Sequence, residues 1–204
     1  PRLTLEGIST HFANIEDSTD HSFAQSQIAA FSRISDALGA AGMPVLLRHA
    51  ACSAATLLFT RTHLDLARVG ISLYGLWPSK ETYVSCLERG KPTLDLHPAL
   101  TWKTRIAQVK AVEEGSYIGY GCTDKVEVDT RLGIVPVGYA DGYRRGMGGQ
   151  AHVLVNGRRC PVRGRICMNL CMVDVTNIPA AAAGDEAVLL GRQGDETITA
   201  EMLA

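Results

Sequence analysis

Along the first part of the chain, short apolar runs alternate with a longer periodic segment. LTLEGISTHF (residues 3–12) is an apolar run that ends in polar groups. Over residues 18–42, Phe23, Phe31, Ile34 and Leu38 recur at helical spacing. Ser18, Asp20 and Ser22 offer N-caps, and Gly42 followed by Pro44 offers the stop. VLLRHA (45–50) predicts a second strand, SAATLLF (53–59) a short helix, and DLARVGISLYG (65–75) a third strand running into a turn. Strands separated by helices predict βαβ units and parallel pairing. In such sheets the ligand lies at the carboxyl ends of the strands. His11, His49 and residues 68–70 fall near those ends. Three strands do not close an eight-stranded barrel, which takes ~250 residues, so this segment is expected to be part of one.

Around residues 76–97 the pattern breaks. WPSKETYVSCLERGKPTLDLHP has no clear period, and it predicts a linker region, with domains at 1–87 and 88–204. Beyond it the chain is rich in strand patterns bounded by Gly and Pro: WKTRIAQVKAV, RLGIVPVGYA, QAHVLVNGRRCPV, RICMNLCMVDV and DEAVLLG. Asn156 and Gly157 form a strong two-residue hairpin signal. The expected fold class is therefore α/β plus β, a partial TIM-type (β/α) barrel followed by an antiparallel β-domain.

The stretch GRICMNLCMVDV (residues 164–175) invites three readings: a metal clamp, a redox pair, or a pocket wall. As a strand, it puts Cys167 and Cys171 on one face but ~13 Å apart. That is too far for a disulfide or for two thiolates on one metal, unless the stretch bends. A buried strand, apolar on both faces, is the expectation that remains. Asn169 is then an anomaly, a polar side chain that needs a partner.

Composition narrows the function classes. The 204 residues are 46% hydrophobic and 20% charged, as in an ordinary globular protein. A net charge of −1 gives nucleic acid no bulk electrostatic reason to bind. No apolar run approaches the ~20 residues of a membrane span, and no signal peptide is visible. The chain starts at Pro1 and stops at TAEMLA, which reads as the first turn of a helix, so a piece of a longer protein is expected. A membrane segment would then lie outside it. The cysteines, Cys52, Cys86, Cys122, Cys160, Cys167 and Cys171, sit in apolar or strand-like runs. They read as buried free thiols of a reducing, cytoplasmic compartment rather than disulfides. No metal site is expected.

Six segments occur in a telling order: STHFA around His11, RHAACSAA around Ser53, ARVGISLYG around Arg68, YIGYG around Tyr120, VPVGYADGYRR around Tyr139 and GRICM around Met168. Together they resemble the alanine racemase family, homodimeric pyridoxal 5'-phosphate (PLP) enzymes with a TIM-type barrel and a β-domain. The resemblance implies interconversion of L- and D-alanine, which supplies D-amino acid for peptidoglycan. Two bases work from opposite faces of the substrate Cα, because racemisation removes a proton on one side and returns one on the other. One is a lysine that also holds the cofactor. The other is a tyrosine from the partner subunit's β-domain, here Tyr120. A free phenol has a pKa of ~10 and needs a neighbour that lowers it to act as a base. By the resemblance, His11 links Tyr120 to Arg68.

Arg68 would face the pyridine nitrogen. A guanidinium cannot accept a proton, so the ring stays neutral and side reactions are limited. His49 would support Arg68. Ser53, with the amides of Gly70 and Ile71, would hold the phosphate. Met168 would offer its amide to the substrate carboxylate, and Tyr139 would line the entrance. The sequence departs from the family pattern twice: Cys52 stands where asparagine is usual, and Asn169 where aspartate is. Asparagine at the second position resembles the serine racemases of membrane-linked vancomycin resistance, which makes Asn169 a candidate substrate contact and serine a rival substrate. In that case the chain would be the cytoplasmic domain of a membrane protein.

Lys80, Lys91, Lys103, Lys110 and Lys125 are the five lysines, and none lies in a motif like the PLP-lysine segment, which precedes residue 1 in the family. The chain alone is therefore expected not to hold PLP covalently or to racemise. Two other readings stand beside this one. A non-catalytic binding or dimerisation module needs no lysine. A barrel-plus-β-domain decarboxylase would use a cysteine acid such as Cys122, but would place a carboxylate where Arg68 stands.

Overall fold

A computed structural model describes residues 3–90 and 94–204; Pro1 and Lys91, named above, lie outside these. The chain divides into two compact units, Pro1–Ala99 and Leu100–Ala204, later than the boundary expected after residue 87. The reason is local: the Ala99 amide returns to the Leu73 carbonyl (2.7 Å), keeping the intervening segment with the first unit.

The first unit contains β1 (Gly7–Ser9), α1 (Ser22–Ala40), β2 (Leu47–His49), α2 (Ser53–Leu58) and α3 (Lys80–Glu88). β1 and β2 pair in parallel, with Ser9 opposite His49. β1 must approach closely, since a Cβ on Gly7 would lie 2.6 Å from the Leu47 carbonyl oxygen. The expected third strand is reduced to one parallel bridge, His49 to Leu66. The backbone instead curls into a 3₁₀ turn at Ile71–Tyr74, which gathers its amides around one point.

α1 ends in a Schellman motif: Met43 N–H reaches the Leu38 carbonyl and Gly42 N–H the Gly39 carbonyl. Gly42 takes the left-handed conformation this requires, φ 76°. Its buried face is Ala24, Ile28 and Phe31, whereas Phe23 and Ile34 are exposed. The expected apolar stripe is thus corrected: a periodic signal does not say which of several apolar positions meets the core. Ile28 and Phe31 pack with Phe12, Ala50, Ala54, Leu58 and Phe59.

The region read as a linker contains α3. Ser79 caps it, accepting from the Thr82 amide at 3.0 Å. Its buried residues are Thr82, Ser85 and Cys86, too polar a face to register as hydrophobic periodicity.

The second unit carries β3 (Trp102–Arg105), β4 (Gln108–Val112), β5 (Tyr117–Ile118), β6 (Asp124–Lys125), β7 (Thr130–Val135), β8 (His152–Val155), β9 (Arg158–Arg163), β10 (Cys171–Asp174), β11 (Glu186–Gln193) and β12 (Glu196–Ile198). An eight-stranded antiparallel sheet runs β12-β11-β8-β9-β10-β7-β4, with β3 on β11. WKTRIAQVKAV is two strands rather than one. The Ile106 amide bonds Asp185 and the Ala107 amide bonds Ile134, both at 2.8 Å. The chain passes there from β11 to β7 and closes the sheet on itself, so its inner face is a continuous core of Val135, Val153, Val155, Ile166, Val173 and Leu189. Asn156 (φ 48°) and Gly157 (φ 72°) form the expected hairpin turn.

The long strand expected over 164–175 is not formed. Only Cys171–Asp174 is strand. The Cys167 amide bonds the Leu170 carbonyl at 2.9 Å, bending residues 167–170 into a turn. Asn169 is exposed in that turn and needs no protein partner. None of the six cysteines is in a disulfide; four are buried, but Cys122 is exposed and Cys167 half-buried. Among the described residues no helix is long and apolar enough to cross a membrane.

Candidate active site

Six of the expected site residues fall in the first unit, and Arg68 is their centre. The Arg68 amide bonds the Ala51 carbonyl at 2.8 Å, which fixes its backbone beside the end of β2. Its guanidinium donates to the carbonyls of Thr10 (2.8 Å) and His49 (3.2 Å), to His49 Nδ1, and to His11 Nδ1 at 3.4 Å. These acceptors lie at the ends of β1 and β2, so parallel pairing is what brings them to one arginine. A guanidinium only donates, so each imidazole presents an unprotonated Nδ1 to it. The neutral rings then carry their proton on Nε2, which leaves His11, itself exposed, with an N–H to offer outward.

The His11 loop is held from α1. Gln27 Oε1 accepts from the Ala13 amide (3.0 Å), while Gln27 Nε2 donates to the His11 carbonyl (3.2 Å). One amide side chain thus satisfies both backbone groups of the turn.

Ser53 opens α2 and is buried. Its Oγ accepts from the Gly70 amide at 2.9 Å and the Ser72 amide at 3.4 Å. Two of the turn's amides are thus spent on Ser53, while no bond within the described residues takes the amide of Ile71, expected with that of Gly70 to meet a phosphate. Ser72 Oγ is buried without a partner among the described residues. A buried unpaired hydroxyl is costly, and an anion with several acceptor oxygens seated here would satisfy it. Cys52, just before Ser53, has its thiol pKa raised, by burial above all and also by the Glu16 carboxylate.

The other four residues lie in the second unit. Tyr120 occupies the loop of the β5–β6 hairpin and is 66% exposed. The loop passes through three left-handed residues, Gly119 (φ 73°), Gly121 (φ 80°) and Cys122 (φ 48°). Its glycines press on Arg165: a Cβ on Gly121 would be 3.1 Å from that guanidinium.

Met168 sits at the tip of the 167–170 turn, where its own amide and that of Asn169 take no bond within the described residues. The turn is clamped from residues 138–142. The Tyr139 amide bonds the Cys167 carbonyl (3.0 Å), and the Ala140 amide bonds the Met168 carbonyl (2.8 Å). Asp141 secures the clamp by accepting from the Gly138 amide at 2.9 Å. Tyr139 is exposed, with Arg145 5.8 Å from its ring centroid. Below the turn, burial pushes the Cys171 thiol up to about 12, the reverse of a metal-binding thiolate. Among the described residues no three His, Cys, Asp or Glu side chains gather as a metal site.

The chain as a whole has counterparts among known proteins. The profile described as "Alanine racemase, C-terminal domain" matches residues 99–204, and "Alanine racemase, N-terminal domain" matches residues 1–78. The chain belongs to the alanine racemase family. The alanine racemase of Leptospira interrogans is 43% identical over 202 residues, 99% of this chain and 52% of the relative. The crystal structure of Bacillus anthracis alanine racemase with bound L-Ala-P matches with a TM-score of 0.69 and 36% identity, covering 98% of this chain and 49% of that one. That of Bartonella henselae, with covalently bound pyridoxal phosphate, matches with a TM-score of 0.60 and 29% identity, covering 92% and 48%. The chain spans about half the length of the alanine racemases it matches. Sequence reasoning passed over Gln27, Ser72, Gly138 and Asp141. Of these only Asp141, in a Gly-Tyr-Ala-Asp-Gly turn, carried a local signal.

Proposed function

We propose that this chain forms part of an alanine racemase, binding PLP and interconverting L- and D-alanine in the cytoplasm, with D-alanine destined for peptidoglycan. The arginine centred on two histidines carries the reading. A guanidinium fixed by carbonyls and imidazole nitrogens is rigid and cannot take up a proton, which is what a neutral pyridine nitrogen requires of its partner. PLP, when bound, supplies the electron sink that makes the substrate Cα–H removable.

The protein's own groups do the rest. Ser53, the Ser72 hydroxyl and the Ile71 amide would hold the phosphate, with the Gly70 and Ser72 amides fixing Ser53 Oγ. Arg68 donates toward the ring nitrogen, and His49 and the Thr10 carbonyl keep it in place. Tyr120 comes from a second copy of the chain and moves a proton at one face of Cα. His11 Nε2–H stands ready to bond its phenol, coupling Tyr120 to Arg68. The Met168 amide receives the substrate carboxylate, with Asn169 beside it, and Tyr139 narrows the approach. The second copy is proposed because an exposed tyrosine on a hairpin tip suits reaching into a neighbour's site.

The test uses the whole protein. With PLP, it is expected to racemise L-alanine in preference to L-serine and to elute as a dimer. Tyr120→Phe should retain PLP yet lose racemase activity by roughly 10²–10⁴-fold, the usual contribution of a positioned acid–base group. In the 204-residue chain alone, borohydride should fix no PLP to any of its five lysines. A fully active Tyr120→Phe protein ends this reading.

A further inference from the structure

The hairpin that carries Tyr120 cannot hold itself. β5 and β6 contribute only two residue pairs, Tyr117 with Lys125 and Ile118 with Asp124. Two strands of that length are not independently stable in water. The loop spends three residues in the left-handed region, two of them glycines, which lose the most freedom on ordering. The Tyr120 side chain makes no hydrogen bond within the second unit that would anchor it. On the β5 side, Ile118 is buried with Val126 and Leu132. On the β6 side the anchor is polar.

That anchor is Asp124. Its Oδ1 accepts from Arg163 Nη2 at 2.7 Å, and its Oδ2 from Arg163 Nε at 2.9 Å and from the Gly164 amide at 2.7 Å. Arg163 reaches on to Asp174 Oδ2 at 3.3 Å, so strand β10 holds the arginine from behind. The Asp124 and Arg163 side chains are 19% and 24% exposed. This is the bidentate, partly buried geometry in which an ion pair keeps its strength, unlike the usual surface pair. Gly164 is left-handed, φ 64°, and lies so close that a Cβ there would be 2.7 Å from the Ile118 carbonyl oxygen. Both strands of the hairpin therefore seat on residues 163–164. Those residues lead, four positions on, to Met168.

The structure assigns Asp124 as the positioning residue for Tyr120: through Arg163 and the Gly164 amide, one carboxylate sets the phenol and the Met168 amide at a fixed separation. Asp124 touches no reacting atom. This rests on the reading of Tyr120 and Met168 proposed above. The advantage is geometric, since a base and a carboxylate anchor must be spaced to about an ångström, and misplacement on that scale can cost ~10²-fold in rate.

The test compares wild type, Asp124→Asn and Asp124→Glu in the whole protein with PLP. Asp124→Asn keeps size but loses the charge-assisted pair; Asp124→Glu keeps the carboxylate. Without reference to activity, amide hydrogen exchange at residues 119–123 and at Gly164 should rise at least ~10-fold in Asp124→Asn, as local opening grows, with the core strands β7–β9 unchanged. In racemisation, kcat should fall ~10- to 100-fold with KM for alanine changed far less. The primary deuterium isotope effect should rise for one enantiomer only, because only one of the two bases has moved. Asp124→Glu should recover part of both. Unchanged exchange at residues 119–123 overturns the inference, as does an isotope effect that moves equally for both enantiomers. A wild type inactive toward alanine, with exchange still rising in Asp124→Asn, would overturn instead the catalytic reading of Tyr120 and the functional half of this assignment.

Discussion

Gly138 rests on the Cys167 carbonyl so closely that a Cβ placed on it would lie 2.2 Å from that oxygen and 2.6 Å from the Asn169 nitrogen. Its φ is not left-handed, so backbone freedom is not what demands glycine here. Proximity is. The 138–142 turn and the 167–170 turn can exchange their two backbone bonds only if nothing stands between them. Gly138→Ala should force them apart, at the ~1–3 kcal/mol typical of overpacking. Thermal unfolding should show a lower midpoint. In the whole enzyme KM for alanine should rise, since the displaced amide is the one proposed to meet the carboxylate.

The two serines of the cradle should respond in opposite ways. Ser53 already accepts two amides, so Ser53→Ala strands both and loses a phosphate donor; hydrogen bonds to charged groups contribute ~1.5–3 kcal/mol. PLP affinity should fall ~10- to 100-fold, and the ligand-free protein should lose stability. Ser72 Oγ is buried and has no partner among the described residues. Ser72→Ala should therefore stabilise the ligand-free protein by ~1 kcal/mol or more while still weakening PLP binding. Denaturant unfolding without PLP, beside a PLP titration, checks both signs. A destabilised Ser72→Ala protein would mean that the hydroxyl has no need of a ligand.

Gln27 is 16 residues from His11 in sequence, yet its amide closes that loop. Gln27→Glu keeps an acceptor for the Ala13 amide but sets a carboxylate against the His11 carbonyl. Gln27→Ala removes both bonds, at ~0.5–1.5 kcal/mol each. The expected order of kcat is wild type, then Gln27→Ala, then Gln27→Glu, with PLP affinity nearly unchanged. The His11 ring signals in NMR should broaden in the same order. If the clamp only stabilised α1, the unfolding midpoints would shift and the His11 signals would not.

What the sequence made legible follows the range of the interactions involved. Asn156 and Gly157 form their hairpin, and Gly42 stops α1, because both are decided within a few residues. Strands buried over several consecutive residues, such as β11 with Ala187–Leu190, are visible as apolar runs. α3 was hidden because its buried face is Thr82, Ser85 and Cys86. The strand expected over 164–175 failed because its alternation suited a strand, whereas backbone bonds from residues 139 and 140 pull it into a turn. Arg68 could be named from its motif, but its contacts span 19 residues to His49 and 57 to His11. The Asp124–Arg163 pair spans 39. No periodicity reports such distances. They exist only once parallel pairing and sheet closure have brought the ends together.

His21 gives the first unit a predictable response to acid. It is buried at the head of α1, edge-on to Phe59 with centroids 5.3 Å apart. Nε2 meets Ser85 Oγ at 3.2 Å, and Nδ1 has no partner among the described residues. Burial, and then the Arg89 guanidinium, lowers its pKa; Asp20 opposes them only in part. The folded protein thus binds this proton less readily than the unfolded chain does, whose histidine titrates near ~6.5. The stabilisation is fully present above that pH and is lost progressively as pH falls below it. Asp65 and Asp124 have lowered values instead, held down by Arg48 and Arg163. Their contributions fade only below the ordinary carboxylate range of ~4, so they do not disturb this window. Urea midpoints should be level from pH 8 to 7 and decline toward pH 5. In His21→Gln, which has no proton to gain there, the decline should flatten even if the protein is weaker throughout. An equally steep decline in His21→Gln would assign the acid response to another group.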